Sequence, residues 1–127
     1  MSEQALQNTI RNALAGHLKL FRVNTGTAWT GDVQRLADGS ILIRNPRPFS
    51  TGVPPGFSDT FGVKTVEVTQ DMVGQVIGQA VFGEIKTPTG RVQPKQAAFL
   101  QAMKNSGALA GVWRSVSDAL ATVGVKG

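Results

Sequence analysis

The chain has 127 residues, a formal charge of +5 and a pI near 10.3. That is room for one domain, spanning 1–127, with a real core and a bias toward a polyanionic partner. It contains no cysteine, no tyrosine and a single histidine, His17, which removes disulfide frameworks, zinc ribbons, thiol nucleophiles and tyrosine recombinases. There is no basic-then-apolar leader and no run near the ~20 apolar residues of a membrane span, so a cytoplasmic protein with no membrane partner is expected.

Residues 2–16 read as a helix. Leu6, Ile10, Ala13 and Leu14 form its apolar stripe, Ser2 caps it and Gly16 stops it. Glu3 lies at the edge of that stripe, where it either favours the positive helix end or borders a metal site. Residues 18–23 alternate as a strand, 24–27 carry turn chemistry and 28–31 continue the turn. Arg22, Asn24 and Trp29 are candidates to touch a phosphate or stack on a base. Core packing for Trp29 and solvation for Arg22 are the competing readings. A hairpin-type turn is expected at 37–40, then a short strand at 41–44.

Residues 45–58 hold four of the six prolines and read as a long, stiffened loop of functional kind, with Arg47 a candidate phosphate contact. Strands are expected at 60–68 and about 75–86, separated by a polar turn at Gln70 and Asp71. The second of these contains an apolar run, 76–85, that reads as buried. Pro94 fits the first turn of a helix running to Asn105, closed by Gly107. Its stripe is Phe99, Leu100 and Met103, and Gln96 falls on the same stripe one turn earlier. A glutamine on a core-facing stripe needs hydrogen-bond partners, and the strand end at Glu84–Lys86 is the natural source. A last strand is expected at 111–116, a short helix follows to Val123, and the final residues are expected to be loose. A strand–helix–strand passage over 75–116 implies one parallel pair in a mixed sheet.

Chemistry concentrates at Glu84-Ile85-Lys86. Strand side chains alternate, so Glu84 and Lys86 point one way and Ile85 into the opposite layer. Glu-x-Lys alone is a weak signal. It gains from closing an apolar strand, from Asp59 opening the strand before it, and from the inward Gln96 after it. Two carboxylates and a lysine at strand ends suit a divalent-metal site that hydrolyses a phosphodiester.

Asp59 with Glu84-Ile85-Lys86 resembles the PD-(D/E)XK nuclease superfamily. The run from Glu84 to Gln96, followed by Gly111-Val112-Trp113-Arg114-Ser115-Val116-Ser117-Asp118, is similar to its VRR-NUC branch. The resemblance covers nearly the whole chain and suggests a stand-alone, phage-type version related to Holliday-junction resolvases. It implies an α/β fold, with a mixed central sheet of four to five strands flanked by helices in the order helix–strands–helix–strand–helix.

The resemblance makes Asp59 and Glu84 the metal acids, with the Ile85 backbone carbonyl a further ligand and Glu3 an additional candidate. Lys86 becomes the catalytic lysine and Gln96 its partner on the helix. Mg²⁺ is the implied cofactor, with Mn²⁺ as substitute. The partner implied is DNA, branched as in a four-way junction, cut by a homodimer. Phe49, Val53, Phe57 and Trp29 are candidates for the dimer interface or a wedge at the branch point, unless they pack under their own loop. Arg22, Arg47, Arg91, Lys95 and Arg114 are the candidate DNA contacts. Two positions depart from the pattern: Ser58 replaces the proline before the acid, and Trp113 replaces the first arginine of the Val-Arg-Arg triplet. Flap or nicking endonuclease and non-catalytic DNA-binding phage protein are the alternatives. HNH and GIY-YIG chemistry lacks the histidines and tyrosines it needs.

Overall fold

A computed structural model describes residues 2–24 and 27–125. It is a mixed α/β structure with α1 at Glu3–Leu14, β1 at Lys19–Arg22, β2 at Thr27–Arg35, β3 at Ile41–Ser50, β4 at Thr60–Val63, β5 at Val81–Ile85, α2 at Pro94–Asn105, β6 at Leu109–Trp113 and α3 at Val116–Val123. Among the described residues the strands pair two by two: β1 with β4, β2 with β3, β5 with β6. The single central sheet of four to five strands expected from the resemblance is therefore not what the pairing shows, and five strands precede α2 where three or four were expected. The chain divides into two compact units, residues 20–61 and the rest, 1–19 with 62–127.

The larger unit opens with α1. The Ser2 hydroxyl accepts from the Ala5 N–H at 3.1 Å, satisfying one of the orphan donors of the first turn. Its apolar stripe is only partly covered: Leu6 and Ile10 are 48% and 46% exposed. The core lies farther on, where β5 and β6 run parallel with Glu84 opposite Val112 and Ile85 opposite Trp113. Register partners share a face. On one face stand Phe82 and Ala110, covered by α2 through Leu100 and Met103, both buried, and through Phe99. On the other face, which carries Gly83 and Gly111, the Trp113 ring lies against Gly83 and α3 packs on β6.

That second face explains two glycines. A Cβ on Gly83 would stand 2.1 Å from the Trp113 ring, and one on Gly111 would stand 2.7 Å from the Thr122 hydroxyl oxygen. Trp113 donates its indole N–H to that hydroxyl at 3.1 Å, tying β6 to α3. The residue that departs from the Val-Arg-Arg triplet thus fills space between strand and helix.

Helix α2 matches its sequence bounds, from Pro94 in the first turn to a close at Gly107 with φ +99°. Ser106, 5% exposed, seals the end. Its hydroxyl donates to the Ala102 carbonyl at 2.9 Å and accepts from the Lys19 ammonium, while Thr65 donates to its carbonyl at 2.9 Å. A cation at a helix C-terminus is favourable both as donor and as charge.

The segment before β5 departs from expectation. Residues 75–80 are not strand, and Val76 and Ile77 are 98% and 62% exposed. A ladder is only as long as its partner: β6 begins with Leu109 opposite Val81, directly after the α2 turn, and the Leu109 N–H donating to the Ala80 carbonyl at 2.9 Å is the first bond of the pair, so residues 75–79 have no strand beside them. Strand β4 likewise stops at Val63, leaving Val66 and Val68 exposed. Ile85, expected to pack into the opposite layer, is 77% exposed; Trp113 covers Gly83, not the strand end.

The smaller unit is a long hairpin. Residues 28–31, read as turn, belong to β2, and residues 45–50, read as loop, belong to β3. Trp29 pairs opposite Pro48 and Thr30 opposite Arg47, with a bulge between Thr30 and Asp32. Prolines lack an N–H and are tolerated in a strand only at an edge or a bulge, and in this two-stranded sheet β3 has a free edge. Asn45 takes φ +51° beside the bulge and donates to the Asp32 carboxylate at 3.1 Å. The tip at 37–40 turns as expected: the Leu36 N–H donates to the Ser40 carbonyl at 2.8 Å and Gly39 takes φ +88°. Trp29 is 62% exposed and Phe49 53%. Of the turn at 24–27, Thr25 and Gly26 lie outside the described residues, as do the last two residues, 126 and 127.

Candidate active site

Strand β5 ends where β6 still supports it, since the Lys86 N–H donates to the Trp113 carbonyl at 3.1 Å. Alternation then sets Phe82, Glu84 and Lys86 half-buried on the α2 face and leaves Val81, Gly83 and Ile85 exposed. The Lys86 ammonium lies 3.5 Å from Glu84 Oε1, with the two side chains 20% and 30% exposed.

Gln96 completes the group. Its Nε2 donates to Glu84 Oε1 at 2.8 Å, and its Oε1 accepts from the Gln93 N–H at 3.0 Å. The two contacts fix the amide: the oxygen must face the backbone donor, so the NH₂ must face the carboxylate. The helix start therefore orients Gln96, and Gln96 orients Glu84. The inward glutamine, its partner strand and the shared face of Glu84 and Lys86 are as the sequence pattern implies. The bond to the Gln93 N–H is an addition. Its signal was present in a glutamine three residues after the residue preceding Pro94.

The loop leaving β5 is held from β6. Arg114 Nη1 donates to the carbonyls of Thr87 and Gly90, both at 2.7 Å. Its own N–H donates to Asp118 Oδ2 at 2.9 Å, and the Asp118 N–H donates to Ser115 Oγ at 3.1 Å. Ser115 thus caps α3, and Asp118 three residues on holds the N–H just before the cap, a Ser-x-x-Asp spacing visible in the sequence. Of the candidate DNA contacts, Arg114 works here as a clamp on the loop. Arg91 and Lys95 are exposed beside the site, and Lys95 lines the same cleft as Glu84 and Gln96.

The remaining candidates lie on other elements. Glu3 is exposed in the first turn of α1. Asp59 belongs to the hairpin unit, where it is exposed just before β4 and its carbonyl accepts from the Val23 N–H at 2.9 Å. Arg22 and Arg47 are exposed in the same unit. Among the described residues no three Asp, Glu or His side chains gather closely enough to hold a metal ion, and no helix is long and apolar enough to cross a membrane. Comparison with family models, with curated proteins and with solved structures returns no match.

Proposed function

We propose that this chain is a Mg²⁺-dependent endonuclease of the PD-(D/E)XK type that hydrolyses DNA phosphodiester bonds, with the four-way junction as substrate and the homodimer as working form. The observation that carries the reading is the Glu84–Gln96–Lys86 group. A half-buried carboxylate, held by an oriented carboxamide and an ammonium at the end of a packed strand, contributes little to a core and much to a reaction. The net charge of +5 supports a polyanionic substrate.

The donor set suits the metal. Mg²⁺ takes hard oxygen ligands and is commonly held by one or two carboxylates, keeping several waters. The Glu84 carboxylate and the Ile85 carbonyl are such donors, and the sequence resemblance adds Asp59 as the second acid. Both contacts to Glu84 fall on Oε1, so Oε2 is the oxygen to offer a cation. Bound there, the metal would polarise the phosphate and acidify a water. Lys86 would neutralise charge building on the phosphoryl oxygens or orient the attacking water. Gln96 would keep Glu84 from turning away. Arg22, Arg47, Arg91 and Lys95 would contact phosphates, which position the strand without reading its sequence.

One observation favours a second reading, a non-catalytic DNA-binding protein: no metal-holding cluster of acids occurs among the described residues. Incubating the protein with four-way junctions, flaps and linear duplex, with and without Mg²⁺, separates the two. The nuclease reading expects Mg²⁺-dependent, paired cuts on the junction and twice the chain mass by light scattering. Binding without cleavage in Mg²⁺ or Mn²⁺ would leave only the second reading. A monomer that nicks duplex and junction alike would keep the nuclease and remove the resolvase.

A further inference from the structure

Two consecutive residues at the end of β6 hold the backbone on either side of the Lys86 side chain. The Trp113 carbonyl accepts from the Lys86 N–H at 3.1 Å, a bond at the end of the β5–β6 pair. One residue on, Arg114 Nη1 donates to the Thr87 and Gly90 carbonyls, both at 2.7 Å, with the Pro88 carbonyl at 3.4 Å. These carbonyls belong to the turn Thr87-Pro88-Thr89-Gly90, which closes on itself where the Gly90 N–H donates to the Thr87 carbonyl at 3.1 Å. The turn needs no arginine to form. What Arg114 adds is a tie between the turn and the neighbouring strand. Arg114 is itself fixed by its N–H on Asp118 Oδ2 at 2.9 Å, so the start of α3 sets where the guanidinium lies.

We infer that Arg114 is a positioning residue: by holding the turn after Lys86, it keeps Lys86 in place and its ammonium beside the Glu84 carboxylate. The inference rests on the nuclease reading and moves Arg114 from the DNA surface to the support of the reacting group. Bonds at the end of a ladder open most readily, and Lys86 stands at that end with its ammonium 3.5 Å from Glu84 Oε1. A flexible ammonium side chain has no fork of its own to fix its direction, so its place depends on a still backbone. Hydrogen bonds from a charged donor are roughly twice as strong as neutral ones. Here one falls on the residue next to Lys86 and another on the far corner of the turn. Among the described residues the guanidinium forms no ion pair, and its Nη1 donors go to backbone carbonyls. That leaves less of the fork to grip a phosphate.

The test has a structural arm that needs no activity. In metal-free protein, amide hydrogen exchange followed by NMR should show the Lys86 N–H opening at least about tenfold faster in Arg114→Ala and Arg114→Met, the low end for losing a bond to a charged group. Exchange at Met103, buried on α2, should be unchanged and shows that both variants are folded. The kinetic arm follows single-turnover cleavage of a four-way junction in Mg²⁺. Arg114→Ala should cut about 10–100-fold more slowly. In a Lys86→Ala background it should change the residual rate by less than about twofold, because it acts through Lys86. Affinity for the junction, measured without metal, should keep its salt dependence, whereas loss of a phosphate contact would lower the slope by about one. An unchanged Lys86 N–H in the folded variants overturns the inference, and so does an additive double variant or a reduced salt slope. Protein that cuts DNA while Lys86 stays protected in both variants loses the clamp and keeps the nuclease. Protein that cuts nothing while Lys86 loosens keeps the clamp and loses the nuclease.

Discussion

The two units carry similar kinds of apolar side chain and treat them differently. In the larger unit, Leu100 and Met103 of α2, Ala110 of β6, Ala108 between them and Val63 are all buried, at 8% exposure or less. In the hairpin unit, Trp29, Val33, Ile41 and Phe49 stay between 53% and 65% exposed, and no described residue is buried. The difference follows from architecture. A parallel pair needs a crossover helix, and that helix covers one face of the pair, whereas a hairpin closes through its own turn and covers neither. For chemistry, the layered unit can hold Glu84 between Gln96 and Lys86, while the hairpin presents Asp59, Arg22 and Arg47 to solvent.

The largest effects should come from breaking this division at its two acids. Glu84→Ala is expected to lower the single-turnover cleavage rate at least about 10²–10³-fold, and Lys86→Ala similarly, as when a group stabilising transition-state charge is removed. Asp59→Ala should match them if the hairpin supplies a metal ligand. Wild-type rates for Asp59→Ala would confine the reaction to the larger unit.

Stability should divide along the same line. Met103 is 2% exposed, so Met103→Ala should cost about 2–5 kcal/mol in denaturant unfolding. Trp29→Ala, at an exposed site, should stay within about 0.5 kcal/mol. A Trp29 cost as large as that of Met103 would mean that the hairpin face is covered in solution, as a dimer interface would cover it. A smaller effect is expected at Gln96. Its carboxamide holds Glu84, so Gln96→Ala should lower activity by about 10–100-fold and raise the Mg²⁺ concentration needed for half-maximal rate. A loss of melting temperature with unchanged Mg²⁺ dependence would make it merely structural.

The smallest effect sits at the hairpin tip. The Ser40 N–H donates to the Asp38 carboxylate at 2.9 Å and holds this exposed carboxyl below its ordinary value of 3.8. The resulting stabilisation is present above that value and is lost as pH falls through the lower, folded one. Asp38→Ala should therefore lower the melting temperature slightly at neutral pH, and the gap should close in strong acid. A gap unchanged by acid would mean that the hydrogen bond contributes nothing through ionisation.

What the sequence disclosed also sorts by region. The bounds of α2 were legible because Pro94 and Gly107 act locally, and Gln96 was legible because one polar residue broke an apolar stripe. The shared face of Glu84 and Lys86 followed from alternation alone. The extents of β2, β3 and β5 were not legible, because a strand's length depends on a partner far along the chain. Pro46 and Pro48 signalled loop, yet β3 has a free edge where a missing N–H costs little. Residues 76–79 signalled buried strand, yet β6 begins too late to pair with them. In the sequence Trp113 is only a departure from a motif; its place over Gly83 depends on a register that no local pattern encodes.

The account turns on Glu84 being the carboxylate that holds the metal. Crystals soaked in Mn²⁺, with anomalous diffraction collected for wild type and Glu84→Ala, test this directly. The expected result is a Mn²⁺ peak bonded to a Glu84 carboxylate oxygen, absent in the variant, with the Gln96 contact to Glu84 retained. A protein that cleaves DNA in Mn²⁺ while its ion sits away from Glu84, or stays bound in Glu84→Ala, would contradict it.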